Sequence, residues 1–240
     1  MTTLGAFRDT TIYAVVDRAR WDIPTVNAWI RDAVRDYSSY FPQFIDTASL
    51  EDGNLECEQD VREYSLAAFT GIRSVMEVEY PEGEDPPEFL TRRDLDDPRG
   101  FYGLGVYDVR GHLAPDTLVI GPAPDDGEEI RLIYLANHAN PETDADVLTV
   151  PEHHLEALTL FVQLRAIQAA LIRLTTSPDF GERGETSMLS EARVRLANEV
   201  DRLFKAYMAK LESYRVAGQV TDGIAEIGAI RDRWEFNEWG

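Results

Sequence analysis

The chain has 240 residues, of which 44% are hydrophobic, and a net charge of -21. This length and apolar content are enough for a substantial core, and they exclude a chain that is disordered throughout. The acidic balance argues against tight binding of nucleic acid, because such binding depends on Lys and Arg side chains that displace counterions from phosphates.

The acidic residues are concentrated in one part of the chain. Gln43 to Leu148 holds 25 Asp and Glu against 7 Arg and Lys, a net charge of -18, whereas the rest of the chain carries 19 against 16. The same segment has the sequence pattern of β-structure, and helical sequence lies on both sides of it. We therefore predict an acidic, β-rich insertion at residues 43–148.

Two N-terminal helices of a bundle are predicted in residues 1–42. Apolar residues at helical spacing favour a short first helix from Asp9 to Arg20. A second helix follows with Pro24 in its first turn, where proline is favoured, and it ends at Phe41-Pro42. Its broad apolar face consists of Val26, Trp29, Ile30, Ala33, Val34 and Tyr37.

Within the insertion the apolar period changes from about 3.6 to about 2. Ser74 to Tyr80 alternates in this way, which predicts a strand whose second face carries Glu77 and Glu79. The other predicted strands are Phe44–Ala48, Tyr64–Leu66, Val106–Val109, Thr117–Ile120 and Ile130–Leu135. The last two are expected to be joined by a turn through Asp126-Gly127. The whole set predicts a small antiparallel sheet.

The segment from Pro81 to Gly100 is predicted to project as a loop. It contains the pair Pro86-Pro87 and seven acidic residues against three arginines, a composition that packs poorly. We expect an exposed acidic loop with the carboxylates of Glu82, Glu84, Asp85, Asp94, Asp96 and Asp97. An ordinary solvated loop without a specific role is the alternative.

Long helices that complete the bundle are predicted in residues 149–216. The first begins with a capping box between Thr149 and Glu152 and carries two apolar rows, which a single neighbouring helix would not cover. One row contains Leu160, Leu164, Ile167 and Leu171. This row fits a contact between subunits and fits a three-helix core in a single chain equally well. A second long helix is predicted from Met188 to Val216.

Residues 217–240 form a C-terminal tail with a high content of large apolar side chains. These are Ile224, Ile227, Ile230, Trp234, Phe236 and Trp239. Such a tail is costly to leave in water, so we expect it to dock. Two docking sites are open: the tail's own domain or another subunit. With the bundle and the inserted sheet, the predicted fold is α+β and mainly α-helical.

No pattern of residues specifies an enzyme, and we predict no catalytic residue, no metal and no cofactor. Glu152, His153 and His154, with His138 upstream, are the densest group of potential ligands. Adjacent histidines on a helix point about 100° apart, however, and zinc-binding helices carry histidines four residues apart. The single cysteine, Cys57, excludes an internal disulfide and suits a reducing cytoplasm. No long uncharged apolar run is present, so we also expect no membrane partner.

Several stretches of the sequence resemble the head-tail adaptor, or connector, proteins of tailed bacteriophages. They are Trp29–Tyr37 with Tyr40–Pro42, Arg62–Leu66, Val78–Pro81 with Gly83–Pro87, and Val147–Glu156. Each stretch is short and has no catalytic logic, but their order and spacing together resemble the family. The stretches span residues 29 to 165, and the tail after Gly218 lies outside the resemblance.

The resemblance implies a structural virion protein that is made in the host cytoplasm and located in the virion neck. Such adaptors form a closed ring of about twelve copies below the portal protein. The ring extends the channel through which double-stranded DNA passes, and it presents a surface for a downstream tail or stopper protein. By the same resemblance the C-terminal tail docks on the portal, and the acidic loop faces either the channel or the phage tail.

The best alternative is an acidic DNA mimic or inhibitor that binds a basic partner. DNA mimics place carboxylates at phosphate-like spacing on rigid elements. In this chain the acidic residues are concentrated in Pro-rich loops and at strand edges, which favours the adaptor.

Overall fold

The computed structural model describes residues 1–50, 53–93, 103–111, 115–176 and 187–221. The chain divides into two compact units. Met1–Tyr40 and Asn140–Gly240 form the first, which we call the helical unit, and Phe41–Ala139 forms the second, which we call the acidic unit. The fold is α+β, with more helix than strand, as predicted.

The helical unit is built on three long helices. Its elements are α1 (Leu4–Phe7), a π-helical turn (Arg8–Ile12), α2 (Ile23–Tyr40), a 3-10 turn (Glu152–His154), α3 (Leu155–Thr176) and α4 (Ser187–Thr221). Helix α3 contacts both α2 and α4. The buried core of this unit includes Leu4, Phe7, Ile30, Val34, Leu158, Val162, Leu203 and Leu211. The apolar periodicity of α2, α3 and α4 is therefore used to form one bundle core.

The first helix lies before its predicted position. Thr3 caps α1 by accepting a hydrogen bond from the Ala6 amide at 3.3 Å, and Leu4 and Phe7 are fully buried. The helical turns end at Ile12, and Val15 is 48% exposed. The helix predicted from Asp9 to Arg20 is wrong beyond Ile12, because Val15 and Ala19 of its apolar row are exposed and add no burial that would stabilise a longer helix.

A buried arginine joins the start of the chain to the segment that follows the acidic unit. Arg8 is 4% exposed, and its guanidinium donates to the two carboxylate oxygens of Asp144 at 2.6 and 2.9 Å. The hydrogen bond from Arg8 lowers the pKa of Asp144. The Leu4 amide also donates to the Asp146 carbonyl at 2.9 Å. Asp144 and Asp146 therefore belong to the helical unit.

The third helical segment starts with a 3-10 turn. Pro151 occupies the N-cap position of this turn, and Thr149 lies two residues before it. Proline has no amide hydrogen to satisfy, and its fixed φ suits the start of a helix.

In its described residues the acidic unit has eight short strands in two four-stranded sheets. They are β1 (Gln43–Asp46), β2 (Leu55–Glu56), β3 (Glu63–Ser65), β4 (Ile72–Glu79), β5 (Thr91–Arg92), β6 (Val106–Arg110), β7 (Thr117–Ile120) and β8 (Glu129–Ala136). In the first sheet β8 pairs antiparallel with β1, β2 and β4. The second sheet has the order β3-β7-β6-β5, in which β5 and β6 are parallel. The prediction of one antiparallel sheet is therefore too simple.

The predicted hairpin between β7 and β8 is also wrong. Strand β7 pairs with β3 and β6, whereas β8 belongs to the other sheet. The Asp126-Gly127 turn is present, with Gly127 at φ 82°, but it connects the two sheets. A local turn signal specifies the reversal of the chain and leaves the pairing partner open.

Both sheets contribute to one apolar core in the acidic unit. Tyr107, Leu118 and Ile120 come from the second sheet. Val75, Val78, Ile130, Leu132 and Tyr134 come from the first. Strand β4 reaches this core with two register shifts, between Ile72 and Ser74 and between Val75 and Glu77. These shifts break the alternation of side chains, so the predicted acidic face of β4 does not form and Glu79 is 3% exposed.

Candidate interaction surfaces

Arg131 on β8 is the centre of an ion cluster within the first sheet. Its guanidinium donates to the Asp46 carboxylate at 2.6 and 2.8 Å and to the Glu79 carboxylate at 2.7 Å. Asp46 ends β1 and Glu79 ends β4, so one arginine bridges three strands. The hydrogen bond from Arg131 holds the pKa of Asp46 below its usual range. These two carboxylates serve the fold and are not part of a binding surface.

Most carboxylates of the acidic unit have no cation to neutralise them. Residues 41–139 contain 22 Asp and Glu and 7 Arg, so 15 carboxylates remain even if each arginine neutralises one. Repulsion between exposed charges acts over roughly 8 Å at physiological ionic strength. This unit therefore repels other anions at close range, including nucleic-acid phosphates.

The first part of the predicted acidic loop folds back onto the end of β4. The Tyr80 amide donates to the Glu88 carbonyl at 3.0 Å, and the Leu90 amide donates to the Val78 carbonyl at 2.8 Å. These bonds hold residues 80–90 as a tight excursion from the first sheet. Glu84 and Asp85 are exposed near its tip.

The base of this loop is attached to the turn that precedes β8. The Glu82 amide donates to the Glu129 carbonyl at 2.9 Å, and Glu82 is half-buried. The Tyr80 hydroxyl donates to the Glu128 carboxylate, which lowers the pKa of Glu128. The loop and the turn thus lie side by side.

This attachment brings two exposed acidic segments together. We call Glu84, Asp85, Asp125, Asp126 and Glu129, all exposed, the acidic edge. Sequence reasoning found the first two residues and assigned Asp126 only to a turn. Nothing in a local pattern indicates that residues some 40 positions apart share an edge, because a long-range contact places them there. Asp94, Asp96 and Asp97, which were predicted with the loop, lie outside the described residues.

The apolar row predicted for subunit contact lies on α3 and is unevenly covered. Leu164 is 5% exposed, so its own chain already buries it. Leu160, Ile167 and Leu171 are half-buried, and the adjacent Ile172 is 60% exposed. The burial of Leu164 favours a core role for that residue, while the other three keep accessible apolar surface.

Residues 2–222 match the family model described as SU10 adaptor protein. The chain belongs to this family. The match covers both units and extends well beyond residues 29–165, in which the sequence resemblance was found. A search of curated proteins found no match.

Family membership gives this adaptor its general role and its place. It is a structural protein of a bacteriophage virion, located at the head-tail junction, where it interacts with other head and tail proteins. The family is one of structural adaptors and is not known for catalysis. The sequence resemblance to head-tail adaptors is thus confirmed.

The histidines of the adaptor take part in local packing. His154 shares a hydrogen bond with the Tyr37 hydroxyl through Nδ1, and its ring stacks on Tyr214 with centroids 3.8 Å apart. The His153 and His154 rings are 4.2 Å apart, closer than a divergent helical pair would allow. His138 contacts the Phe41 carbonyl through Nε2 at 3.1 Å. Among the described residues, no group of three or more His, Cys, Asp and Glu could hold a metal ion.

One segment of the adaptor, residues 152–176, is long and apolar enough by length and composition to cross a membrane. Core helices of soluble proteins pass the same test. This segment is α3 with its preceding turn, and α3 packs against α2 and α4. Packing in the bundle accounts for part of its apolar character, since 33% of its most apolar 18-residue stretch is buried.

Residues 217–221, which were predicted to begin the docking tail, belong to α4, and the rest of the tail, residues 222–240, lies outside the described residues. All six of its large apolar side chains follow Asp222, the last residue of the family match. Helix α4, which leads to the tail, runs as far as Thr221. The tail is the part of this chain that neither the family match nor the described structure covers.

Proposed function

We propose that this adaptor forms a closed ring below the portal protein, extends the DNA channel and joins the capsid to the tail. The observation that carries the proposal is the family match over residues 2–222, which spans the helical unit and the acidic unit. The same match favours the adaptor over a DNA mimic, because a DNA mimic has no reason to share a family with head-tail adaptors.

A closed ring requires two different faces on each subunit, one for each neighbour. The accessible part of the α3 row, Leu160, Ile167 and Leu171, supplies apolar surface for one such face. A heterologous contact of this kind closes into a ring only at a suitable rotation, and about twelve copies match the ring expected from the resemblance. Leu164 supports the contact from below, because it packs within its own chain.

The acidic edge suits a surface past which DNA moves. Its exposed carboxylates, repeated around a ring, give a collar of negative potential that keeps phosphates from binding during packaging and ejection. The short range of this repulsion, roughly 8 Å, limits it to groups that line or border the channel. A position on the face that receives the tail or stopper protein is the other placement compatible with an exposed edge.

The C-terminal tail is assigned to the portal. Buried aromatic residues carry much of the binding energy of protein interfaces. Trp234, Phe236 and Trp239 are therefore the residues that we expect to anchor each copy.

Imaging of DNA-filled virions at the neck tests the ring directly. We expect density for this chain as one closed ring between the portal and the tail, with the channel on its axis. Reconstruction without imposed symmetry gives the copy number. A virion neck that lacks this chain, or that contains it as isolated copies on the outer surface, contradicts the proposal.

Charge reversal at the acidic edge is expected to slow the passage of DNA. In the variant Glu84→Lys with Asp85→Lys, two repulsive carboxylates become two cations that attract phosphates, so ejection slows several-fold and slows more at low salt. Ejection is measured as the release of DNA from purified virions after triggering, at two salt concentrations. Addition of Asp125→Lys and Asp126→Lys should enlarge the effect.

Two control variants distinguish an effect of the position of the carboxylates from a general effect of their charge. Glu63→Lys with Asp116→Lys reverses two exposed carboxylates beside β3 and β7, in the sheet that does not hold the acidic edge, and it should leave ejection unchanged. Glu84→Gln with Asp85→Asn removes the repulsion without adding attraction and should have an intermediate effect. Normal ejection and normal titre in the reversed acidic edge would rule out a channel-lining role.

A further inference from the structure

An open cavity of about 300 Å³ lies in the helical unit, between the segment that precedes α2 and the two helices α3 and α4. Its inner wall consists of Val16, Trp21, Ala166, Ala170 and Leu203, all of which are buried. Two of these five residues are alanines, whose small side chains leave space inside the cavity. A volume of this size is at the lower end of ligand pockets and fits one or two large side chains.

The rim of the cavity is charged. Arg20 is exposed, with its guanidinium carbon 5.5 Å from the Trp21 ring. Arg202 is also exposed and is paired with Glu199 at 2.5 Å. Asp17 and Glu199 lie on the rim beside the two arginines, so the rim carries both signs of charge, and the apolar floor suits an aromatic side chain.

The chain itself contains such a segment beyond α4. Trp234, Phe236 and Trp239 are interleaved with Glu235 and Glu238. The aromatic rings match the apolar floor of the cavity.

The reach of the chain decides which part of the tail can enter the cavity. From Leu203, at the cavity, to Thr221, at the end of α4, the helix extends about 27 Å at 1.5 Å per residue. A chain that returns along α4 covers at most about 3.3 Å per residue, so Ile224 reaches about 10 Å and Ile227 about 20 Å. Trp234 reaches about 43 Å. Ile230 reaches about 30 Å. Only the tail from Ile230 onward can therefore span the distance.

We propose that the aromatic segment Trp234–Trp239 occupies this cavity of its own chain before assembly. This inference rests on the proposed function, because the same residues are assigned to the portal. The cavity then holds the anchor in the free subunit, and the portal competes for it. Free adaptor is thereby kept from exposing three large aromatic side chains in the host cell.

Hydrogen exchange of the free, full-length protein tests the occupancy. In the variant Trp234→Ala with Phe236→Ala, amides of the cavity wall in residues 15–21 and 163–170 should exchange at least tenfold faster than in the wild type, because they lose a cover. The matched control is Ile224→Ala with Ile227→Ala, which removes two large apolar side chains that cannot reach the cavity. This control should exchange like the wild type.

A change in the cavity tests the same contact from the other side. Ala170→Leu fills the space beside Trp21 and should speed exchange in residues 234–239 by a similar factor, while the melting temperature reports on the fold. Since the contact is within one chain, protection should not change over a hundredfold range of protein concentration, in contrast to a contact with a second copy.

Unchanged exchange in the aromatic variant overturns the inference, and so does protection that increases with protein concentration. Equal effects of the isoleucine and aromatic variants also overturn it, because Ile224 and Ile227 are too close to the end of α4 to reach the cavity. These measurements contain no heads and no portal. A failure of portal docking in a separate head-binding assay would therefore leave their outcome unaffected.

Discussion

Replacement of Trp234, Phe236 and Trp239 by alanine in one variant is expected to abolish recruitment of the adaptor to DNA-filled heads. Aromatic hot spots at protein interfaces cost about 2 kcal/mol or more each when truncated to alanine. Even half of the sum for three residues, about 3 kcal/mol, weakens binding more than a hundredfold. The measurement is the amount of adaptor that sediments with heads purified from a phage that lacks it.

Substitution is a cleaner test of the anchor than truncation after Gly218. Helix α4 runs to Thr221, so that truncation would also remove the last residues of the helix. Phe204→Ala is a suitable control, because Phe204 is a half-exposed aromatic residue of α4 outside the tail. The triple variant should keep the helical content of the wild type, which circular dichroism measures, although it loses the contact that the segment makes in the cavity. Heads that recruit it as well as they recruit the wild type would refute the portal anchor.

Arg131→Ala is expected to lower the free energy of unfolding by about 3 kcal/mol, the lower part of the range for breaking a buried ion pair. The variant leaves Glu79, which is almost fully buried, without the guanidinium that satisfies it. It also removes the bridge between β1, β8 and β4. The measurement is urea denaturation, read as a lower midpoint at an unchanged slope.

Two controls show whether the loss comes from an unpaired buried charge. Arg131→Leu combined with Glu79→Leu removes both charges and should regain much of the lost stability. Arg195→Ala breaks an exposed pair with Glu191 on α4 and should cost less than about 1 kcal/mol. If Arg131→Ala costs no more than Arg195→Ala, the ion cluster does not stabilise the acidic unit.

The difference in the free energy of unfolding between the wild type and Arg131→Ala should also depend on pH. Arg131 lowers the pKa of Asp46 in the folded state. A carboxyl group with a lowered folded pKa stabilises the protein fully above the pKa of unfolded aspartate, about 3.9. That contribution is lost as the pH falls through the lower folded value. The difference in the free energy of unfolding should therefore be constant near neutral pH and become smaller below about pH 4.

The helical part of the fold was accessible from the sequence because its signals are local. Helix α2 begins beside Pro24 and ends before Phe41-Pro42, as the pattern predicts. Helices α3 and α4 likewise follow the runs of apolar residues at helical spacing. The exception is the first helix, where residues 9–20 have the spacing and Val15 has no partner surface.

The pairing of the strands could not be predicted from local sequence patterns. Six of the eight described strands lie close to predicted positions, since alternation and turn residues are local, whereas β2 and β5 were not predicted and β5 lies within the predicted loop of residues 81–100. Their pairing was not predicted, because β7 and β8 are neighbours in the chain and members of different sheets. In β4 two register shifts changed which side chains face the core, and no residue type announces such shifts.

The candidate surfaces divide in the same way. The sequence identified Glu84 and Asp85 as an exposed acidic loop, and it identified the aromatic tail by composition alone. It did not place Asp125 and Asp126 beside the loop, because that position depends on the backbone bond from Glu82 to Glu129 and on the side-chain bond from Tyr80 to Glu128. The cavity beside Trp21 is formed by three separated segments and has no sequence pattern.

The sequence by itself determined the segregation of acidic charge, the spans of the long helices and the resemblance to head-tail adaptors, because composition, periodicity and short motifs are properties of the linear chain. Only the tertiary structure decided which carboxylates are structural and which remain free to act on a partner. Asp46 and Glu79 are 85 and 52 residues from Arg131, and Asp144 is 136 residues from Arg8. An arginine stabilises a carboxylate strongly when the two groups are in contact. Only folding brings residues that are so far apart in the chain into contact.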